Sequence, residues 1–232
     1  MAIDRWLLQQ HSQKLHPPTL RFYSWSPPAI SLGYHQQRWP QAWQSIHWRG
    51  QQLDLVRRPS GGRAVLHQGD LTYAIVGSGF GKRRWQAYQT LCQFLIRGWQ
   101  QLGVELRYGA VGQDYRDRAN CFSTATGADL VRLDGSKFIG SAQLRCKEAV
   151  LQHGSMQLAP EPDLYHQVFG QDLETPASPN IASLDLSEVE TALQHAAEAC
   201  FDMRLQVQPF SDAEWQAILA QPPLEVCAKA LT

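Results

Sequence analysis

The chain lacks several features that would direct it to a particular class of protein. Among its 232 residues, Lys+Arg and Asp+Glu both number 21, so the formal net charge is zero. It therefore has no global positive field of the kind that attracts nucleic acid or an anionic membrane. No stretch approaches the ~20 apolar residues that span a bilayer. Charges interrupt the opening MAIDRWLLQQHSQKL and no small-residue cleavage site follows, so we expect no secretory signal.

The cysteines are few and irregularly placed. Their number, 5, is odd and none forms a CxxC pair, which argues against a disulfide framework and against a zinc site. We therefore expect a reduced, cytoplasmic protein without a metal site. Cys92 and Cys200 fall in predicted amphipathic helices, as is typical of buried structural thiols. Cys146 follows a predicted strand and is a weaker candidate nucleophile than Cys121.

The hydrophobic pattern predicts a mixed α/β sheet flanked by helices. Helices are expected over 3–15, 85–103, 187–201 and 211–220. Strands are expected over 19–25, 29–34, 53–59, 63–67, 71–76, 128–133, 136–145, 148–158 and 203–207. We expect 63–67 and 71–76 to form one hairpin, and 128–133 and 136–145 to form another. Many strands joined by hairpins fit such a sheet better than a doubly wound fold, and the length fits one large domain.

A glycine loop follows the third predicted strand, in RRPSGGRAVLHQGDLTYAIV (57–76). Arg57 and Arg58 precede Ser60-Gly61-Gly62, where the backbone can turn tightly and approach a ligand closely. Free N–H groups in such a turn bind anions, and an arginine adds charge. A solvated surface hairpin gives the same pattern. Neither GxGxxG nor GxxxxGK[ST] occurs, so no standard nucleotide loop is predicted.

A lysine followed by small residues stands out in DGSKFIGSAQLR (134–145). Lys137 enters a strand just after a tight turn, and Gly140-Ser141-Ala142 leave room for a bulky group against the backbone. A lysine that points into a pocket can hydrogen-bond a carbonyl oxygen or stabilise a thiolate. An ordinary turn lysine in water is the alternative interpretation.

Cys121 is the candidate nucleophile because it follows a polar loop and precedes a small, hydroxyl-rich segment. A free thiol with a pKa near ~8.5 is mostly protonated at neutral pH, and an adjacent cation increases the thiolate fraction. A buried structural cysteine is the alternative. His153, in LQHGSM, and His67 are candidate acids, bases or donors, although a lone histidine at a strand end is more often structural.

Taken in order, these segments resemble the biotin/lipoate protein ligase and transferase family over about residues 1–170. The 57–76 segment is similar to its lipoate-binding loop, LDGSKFIGSAQ to its lysine strand, and AVLQHGSMQL to the strand that follows. Arg63 stands where many ligases have a third glycine, and Cys121-Phe122 precedes the lysine hairpin. Both features resemble the octanoyltransferase branch found in Gram-positive bacteria. The resemblance implies a class II synthetase-like catalytic domain that occupies 1–232 as a single domain.

The resemblance also implies an activity, which is octanoyl transfer in protein lipoylation. Cys121 would accept octanoyl from acyl carrier protein, with Lys137 as the second catalytic residue. The acceptor would be a lysine of a lipoyl-domain protein, either the glycine cleavage H protein or a dehydrogenase E2. No cofactor is expected, because conversion of a thioester to an amide is downhill. The expected substrate-binding residues, around an apolar tunnel, are Arg57, Arg58, Ser60, Gly61, Gly62, Arg63, His67, Gly140, Ala142 and His153.

Three alternatives remain open at the level of sequence. An ATP-dependent lipoate–protein ligase would use ATP and Mg and would not need a nucleophilic cysteine. An amidotransferase that moves octanoyl or lipoyl between lipoyl-domain proteins would use the same cysteine with a different donor. A non-catalytic acyl-binding protein would show no covalent turnover.

Overall fold

The computed structural model describes residues 1–109, 129–173 and 179–226. The strands in these ranges are β1 Thr19–Tyr23, β2 Ala29–Leu32, β3 His47–Trp48, β4 Gln51–Gln52, β5 Asp54–Arg57, β6 Val65–His67, β7 Asp70–Ser78, β8 Leu106–Tyr108, β9 Asp129–Arg132, β10 Lys137–Cys146 and β11 Ala149–Gln157. The helices are α1 Ala2–Ser12, α2 Arg84–Gln101, α3 Pro162–Phe169, α4 Pro179–Ala182, α5 Leu186–Phe201 and α6 Asp212–Leu219, with a 3-10 helix at Gln41–Ser45.

The larger sheet has six strands in the order β1-β7-β11-β10-β9-β8, and each neighbouring pair is antiparallel. Successive side chains of a strand point to opposite faces. On β7, Tyr73 and Ile75 therefore join the core beneath α2 and α5, whereas Ala74 and Val76 pack with α1 on the other face. Both faces of this sheet are covered, which explains why β7 is almost entirely buried.

The smaller sheet has the order β5-β2-β6, with β2 parallel to β5 and antiparallel to β6. Its apolar residues, such as Ile30 and Leu32, form a second core with Trp39 and Trp43. The indole N–H of Trp43 donates to the carbonyl oxygen of Val168 on α3 at 2.7 Å. The prediction of a mixed α/β sheet with flanking helices is confirmed.

The predicted hairpin of 63–67 with 71–76 is wrong. β6 pairs with β2 in the smaller sheet, whereas β7 pairs with β1 and β11 in the larger one. The chain crosses between the sheets at Gly69, where φ is +63° and an added Cβ would lie 1.9 Å from the carbonyl oxygen of Ala159. Turn chemistry alone does not reveal that two adjacent strands belong to different sheets.

The predicted strand over 203–207 is also wrong, because the structure shows no strand there. Val207 is 88% exposed, and the N–H of Leu205 donates to Glu198 Oε1 at 2.8 Å rather than to a strand. By contrast, the predicted hairpin of 128–133 with 136–145 is confirmed by the pairing of β9 with β10. Among the described residues, no helix is both long and apolar enough to cross a membrane.

Candidate functional site

A cavity of about 440 Å³ lies between the two sheets and the first turns of α2. Its walls bring together residues that are far apart in the sequence. The predicted binding residues that line it are Arg58, Gly61, Gly62, His67, Gly140, Ala142 and His153. This volume is in the range of small-molecule pockets.

Small residues on two paired strands keep this cavity open. Gly140 and Ala142 lie on β10, and Ser141 is directly opposite Gly154 on β11. A Cβ added to Gly154 would lie 2.7 Å from both Ser141 Oγ and Tyr73 Cε1, so no side chain fits there. Glycine at 154 therefore lets the two strands and Tyr73 pack closely, and Gly140, Ser141 and Ala142 present only small groups to the cavity.

Arg58 holds the glycine loop in place. Its guanidinium donates to the carbonyl oxygens of Ser31 at 2.9 Å, Gly61 at 2.9 Å and Arg63 at 2.6 Å. Gly62 has φ +98°, and a Cβ there would lie 2.7 Å from Arg58 Nη2. The planar fork of arginine thus fixes the backbone of the loop, and glycine at 62 leaves room for it.

Two other predicted binding residues contribute no side chain to the cavity. Arg57 is 9% exposed and donates to the carbonyl oxygens of Gly33 at 2.6 Å, Gln36 at 2.9 Å and Glu225 at 2.7 Å. It therefore joins the turn after β2 to the segment that follows α6. Arg63 is half-buried, and its carbonyl oxygen accepts from Arg58.

Ser60 is fully buried and reaches the cavity through His153. Its hydroxyl hydrogen-bonds His153 Nε2, and His153 Nδ1 lies 3.2 Å from Asp4 Oδ2. Asp4 also pairs with Arg21 and accepts a hydrogen bond from Tyr23 at 3.1 Å. The sequence analysis missed Asp4, because its role depends on α1 packing against the larger sheet.

Burial and hydrogen bonding determine the protonation states of Asp4 and His153. Burial opposes the ionised form of Asp4, but the hydrogen bond from His153 and nearby positive charges lower its pKa to about 2. Burial lowers the pKa of His153 below its ordinary value of 6.5, despite the hydrogen bond to Asp4. A neutral His153 therefore donates from Nδ1 to the Asp4 carboxylate and accepts at Nε2 from the Ser60 hydroxyl.

A second buried histidine has a similar arrangement at the cavity wall. His67 Nδ1 lies 2.8 Å from Asp70 Oδ2, and its Nε2 lies 2.8 Å from Ser31 Oγ. Asp70 also accepts from Ser155 at 2.6 Å, and Trp25 stacks on the imidazole at 4.3 Å. The ring is thus held on its edges and on one face. A signal for Asp70 was available in HQGD, where the carboxylate follows the histidine by three residues.

Lys137 forms a buried ion pair at the start of β10. Its Nζ lies 2.9 Å from Asp129 Oδ1, and both side chains are 4% exposed. Asp129 lines the cavity, and the β9–β10 pairing places it opposite Gly140. The predicted lysine is therefore paired with a carboxylate that lines the cavity, and the sequence analysis did not identify this carboxylate.

The described thiols do not line the cavity. Cys92 is buried, and burial raises its pKa to about 12, so it is a poor nucleophile at neutral pH. Burial also raises the pKa of Cys200, and Cys146 is half-buried at the end of β10. Cys121 lies outside the described residues, so its placement beside Lys137 stays a prediction. Within 1–109, 129–173 and 179–226, no group of three His, Cys, Asp or Glu side chains could hold a metal ion.

Relatives of known name match this chain over much of its length. "Octanoyltransferase LipM" of Halalkalibacterium halodurans is 32% identical over 92% of this chain and 86% of that protein. The protein of the same name from Kyrpidia tusciae is 36% identical over 70% of this chain and 62% of its own length. The protein of that name from Moorella thermoacetica is 42% identical over 68% of this chain and 60% of its own length. The match thus spans less than two thirds of the latter two relatives.

Solved structures share the fold. A lipoate-protein ligase A bound with ATP superposes with a TM-score of 0.77 at 21% identity, over 94% of this chain and 86% of that one. A lipoate protein ligase of T. acidophilum with bound lipoic acid has a TM-score of 0.74 at 21% identity, with the same coverage. The expected class II synthetase-like ligase fold is confirmed. The model for the lipoyl protein ligase A/B catalytic domain matches residues 1–208, and the chain belongs to this family.

Proposed function

We propose that this protein is an octanoyltransferase in protein lipoylation. It would take an octanoyl group from the thioester of acyl carrier protein onto Cys121 and pass it to a lysine of a lipoyl-domain protein. The observation that carries this proposal is the cavity of about 440 Å³, with Gly140 and Ala142 along one wall and the Lys137–Asp129 pair at its edge. The names of the relatives support the same activity.

The cavity would supply much of the binding energy for the acyl chain. Each buried CH₂ contributes ~0.8 kcal/mol, so the seven carbons beyond the carbonyl give roughly 5–6 kcal/mol of gross binding. Two of the polar groups that line the wall, His67 and His153, have their ring nitrogens hydrogen-bonded to buried side chains. Because these hydrogen bonds are already satisfied within the protein, the two imidazoles can lie beside a hydrocarbon acyl chain.

The first step would form the acyl-enzyme. The thiolate of Cys121 attacks the thioester carbonyl, the bond between the carbonyl carbon and the carrier sulfur breaks, and the carrier leaves as a thiol after taking up a proton. The negative charge that develops on the carbonyl oxygen would be stabilised by the Lys137 ammonium and by N–H groups of Gly61 and Gly62. Arg58 keeps this loop in one conformation, so little reorganisation is needed during the reaction.

The second step would transfer the acyl group to the acceptor. The neutral amine of the acceptor lysine attacks the carbonyl carbon of acyl-Cys121, loses a proton and forms the amide, and the Cys121 thiolate is released. Because a thioester is converted to an amide, the reaction needs neither ATP nor Mg. We assign His153 and His67 to the cavity wall, where Asp4 and Asp70 orient them.

We also infer that residues 1–232 act as a single catalytic domain. The segment after α6 packs back onto the first helix, where Arg5 Nε donates to Gln221 Oε1 at 2.6 Å. Arg57 binds the carbonyl group of Glu225 in the same segment at 2.7 Å. These contacts tie the C-terminal part of the described chain to both α1 and β5. We place the protein in the cytoplasm, where its donor and acceptor are made.

The test is a transfer assay with defined donors. Purified protein is mixed with octanoyl acyl carrier protein and an unmodified H protein, without ATP, and the acceptor is analysed by mass spectrometry. We expect one octanoyl group on the acceptor. Modification that occurs only with free octanoate, ATP and Mg would instead establish a ligase. Transfer only from octanoylated H protein to an E2 lipoyl domain would establish an amidotransferase.

A further inference from the structure

The rim of the cavity at the start of α2 is strongly basic. Lys82, Arg83 and Arg84 are consecutive and exposed, and Trp85 is 46% exposed. Arg84 and Trp85 also line the cavity. We call these four residues, 82–85, the basic rim. The cluster is local, because the formal net charge of the whole chain is zero.

Within the described ranges, the salt bridges involve none of the three cations of the basic rim. The first turn of α2 contains no acidic residue, and no side chain caps it. The partial positive charge of the helix N-terminus therefore adds to that of the side chains. Arg145 lies beside this surface, where its Nη1 donates to the carbonyl oxygen of Gly81 at 3.0 Å. Such a surface is complementary to a cluster of carboxylates.

We propose that the basic rim docks the acyl donor through an acidic surface of its carrier protein. This inference rests on the proposed function. The acceptor lysine is a cation at neutral pH, so three cations at the entrance would repel it. The donor brings a neutral thioester and an apolar chain, which Trp85, stacked on Tyr88 at 5.4 Å, can guide into the cavity. The charges therefore favour the donor at this entrance over the acceptor.

We expect the basic rim to increase the rate at which the enzyme and the carrier protein associate. Charges at the rim of an interface chiefly change the association rate and its salt dependence. The Debye length falls from about 10 Å at 0.1 M salt to about 3 Å at 1 M, so the effect is largest at low ionic strength.

The test compares Lys82→Glu/Arg83→Glu with Arg204→Glu. Arg204 is an exposed arginine on the segment after α5, which contributes no residue to the cavity. A milder pair, Lys82→Gln/Arg83→Gln, checks the effect of charge loss without reversal. Each variant is assayed with octanoyl acyl carrier protein, with octanoyl-phosphopantetheine, which lacks the protein, and with octanoyl-pantetheine, which lacks both the protein and the phosphate.

For the charge reversal, we expect kcat/KM with octanoyl acyl carrier protein to fall about tenfold at low salt, with a smaller loss at high salt. For the same donor, the glutamine pair should lose less kcat/KM, and Arg204→Glu should keep the wild-type kcat/KM. All variants should have the same kcat/KM with octanoyl-pantetheine. An equal loss with octanoyl-pantetheine would overturn docking, because the cavity itself would then be damaged. A loss confined to the KM of the acceptor would also overturn docking of the donor. An equal loss with octanoyl-phosphopantetheine would overturn it too, because the basic rim would then bind the phosphate and not the carrier protein.

The failure of docking and the failure of the proposed function are separable in this experiment. A wild-type protein that transfers octanoyl, but whose rate does not respond to the charge of residues 82 and 83, overturns docking alone. A wild-type protein that uses no thioester donor overturns the transferase and the donor surface together.

Discussion

Lys137 Nζ and Asp129 Oδ1 are 2.9 Å apart in a setting where both side chains are 4% exposed. Removing one partner of a buried ion pair leaves an uncompensated charge and typically costs about 3–5 kcal/mol. The pair borders the cavity through Asp129, so the lysine can serve both the fold and the reaction. These two contributions can be separated by mutation.

Lys137→Met is expected to lower the free energy of unfolding by about 3 kcal/mol and to abolish octanoyl transfer. The double variant Lys137→Met/Asp129→Leu also removes the carboxylate that Lys137 pairs with and should recover most of the stability. It should remain inactive, because the ammonium that stabilises the oxyanion is still missing. Urea denaturation and the transfer assay measure the two effects. Restored transfer in the double variant would exclude a catalytic role for Lys137.

Ala142→Leu is expected to shift the acyl-chain preference toward shorter chains, because its side chain would occupy the cavity beside Gly140. Each excluded CH₂ removes ~0.8 kcal/mol, or about fourfold in kcat/KM. The measurement is kcat/KM for butanoyl, hexanoyl and octanoyl thioesters. Ala213→Leu, on the exposed face of α6, is the control and should leave the preference unchanged. An unaltered chain-length profile in Ala142→Leu would place the acyl chain elsewhere.

The buried Asp4–His153 pair predicts loss of stability in acid. The folded-state pKa of His153 is lowered, so the unfolded chain binds a proton first and stability falls as the pH drops below about 6.5. The lowered pKa of Asp4, about 2 against an ordinary 3.8, adds stability that is lost below about pH 4.

His153→Gln should therefore flatten the dependence of the unfolding free energy on pH between about 6.5 and 4. Urea denaturation across a series of pH values is the measurement, and His35→Gln, at an exposed histidine, should keep the wild-type slope. If His153→Gln and the wild type have identical slopes, His153 is not a buried neutral imidazole.

Arg58→Lys and Arg57→Lys should differ in their effects, although the two residues are adjacent. Lysine cannot reproduce the fork that joins Ser31, Gly61 and Arg63, so Arg58→Lys should loosen the glycine loop and lower kcat/KM at least tenfold. Arg57→Lys should mainly reduce the thermal midpoint, because none of the residues that Arg57 binds lines the cavity. Equal losses of kcat/KM in both variants would contradict the loop-holding role of Arg58.

The sequence predicted those parts of the fold whose signals are local. The α2 periodicity and the Asp134-Gly135 turn between β9 and β10 depend on neighbours in the chain, and both predictions are confirmed. The assignment of β6 and β7 to different sheets depends on contacts at Gly69 with a residue 90 positions later, Ala159, which no local pattern reveals.

The same distinction applies to the candidate site. The motifs identified residues that line the cavity, such as Arg58, Gly140 and His153. The motifs did not identify the carboxylates that bind His153 and Lys137. Asp4 and Asp129 come close to these partners only through tertiary packing. Arg57 shows the converse, since this residue of the binding motif binds backbone carbonyl groups of residues that do not line the cavity.

The central claim is that the octanoyl group passes through a thioester on Cys121. The measurement is intact-mass spectrometry of the enzyme after mixing with octanoyl acyl carrier protein in the absence of acceptor. The wild type should gain the mass of one octanoyl group, lost on treatment with hydroxylamine, and Cys121→Ser should gain no hydroxylamine-sensitive adduct. Undiminished transfer to the acceptor by Cys121→Ala would contradict the account.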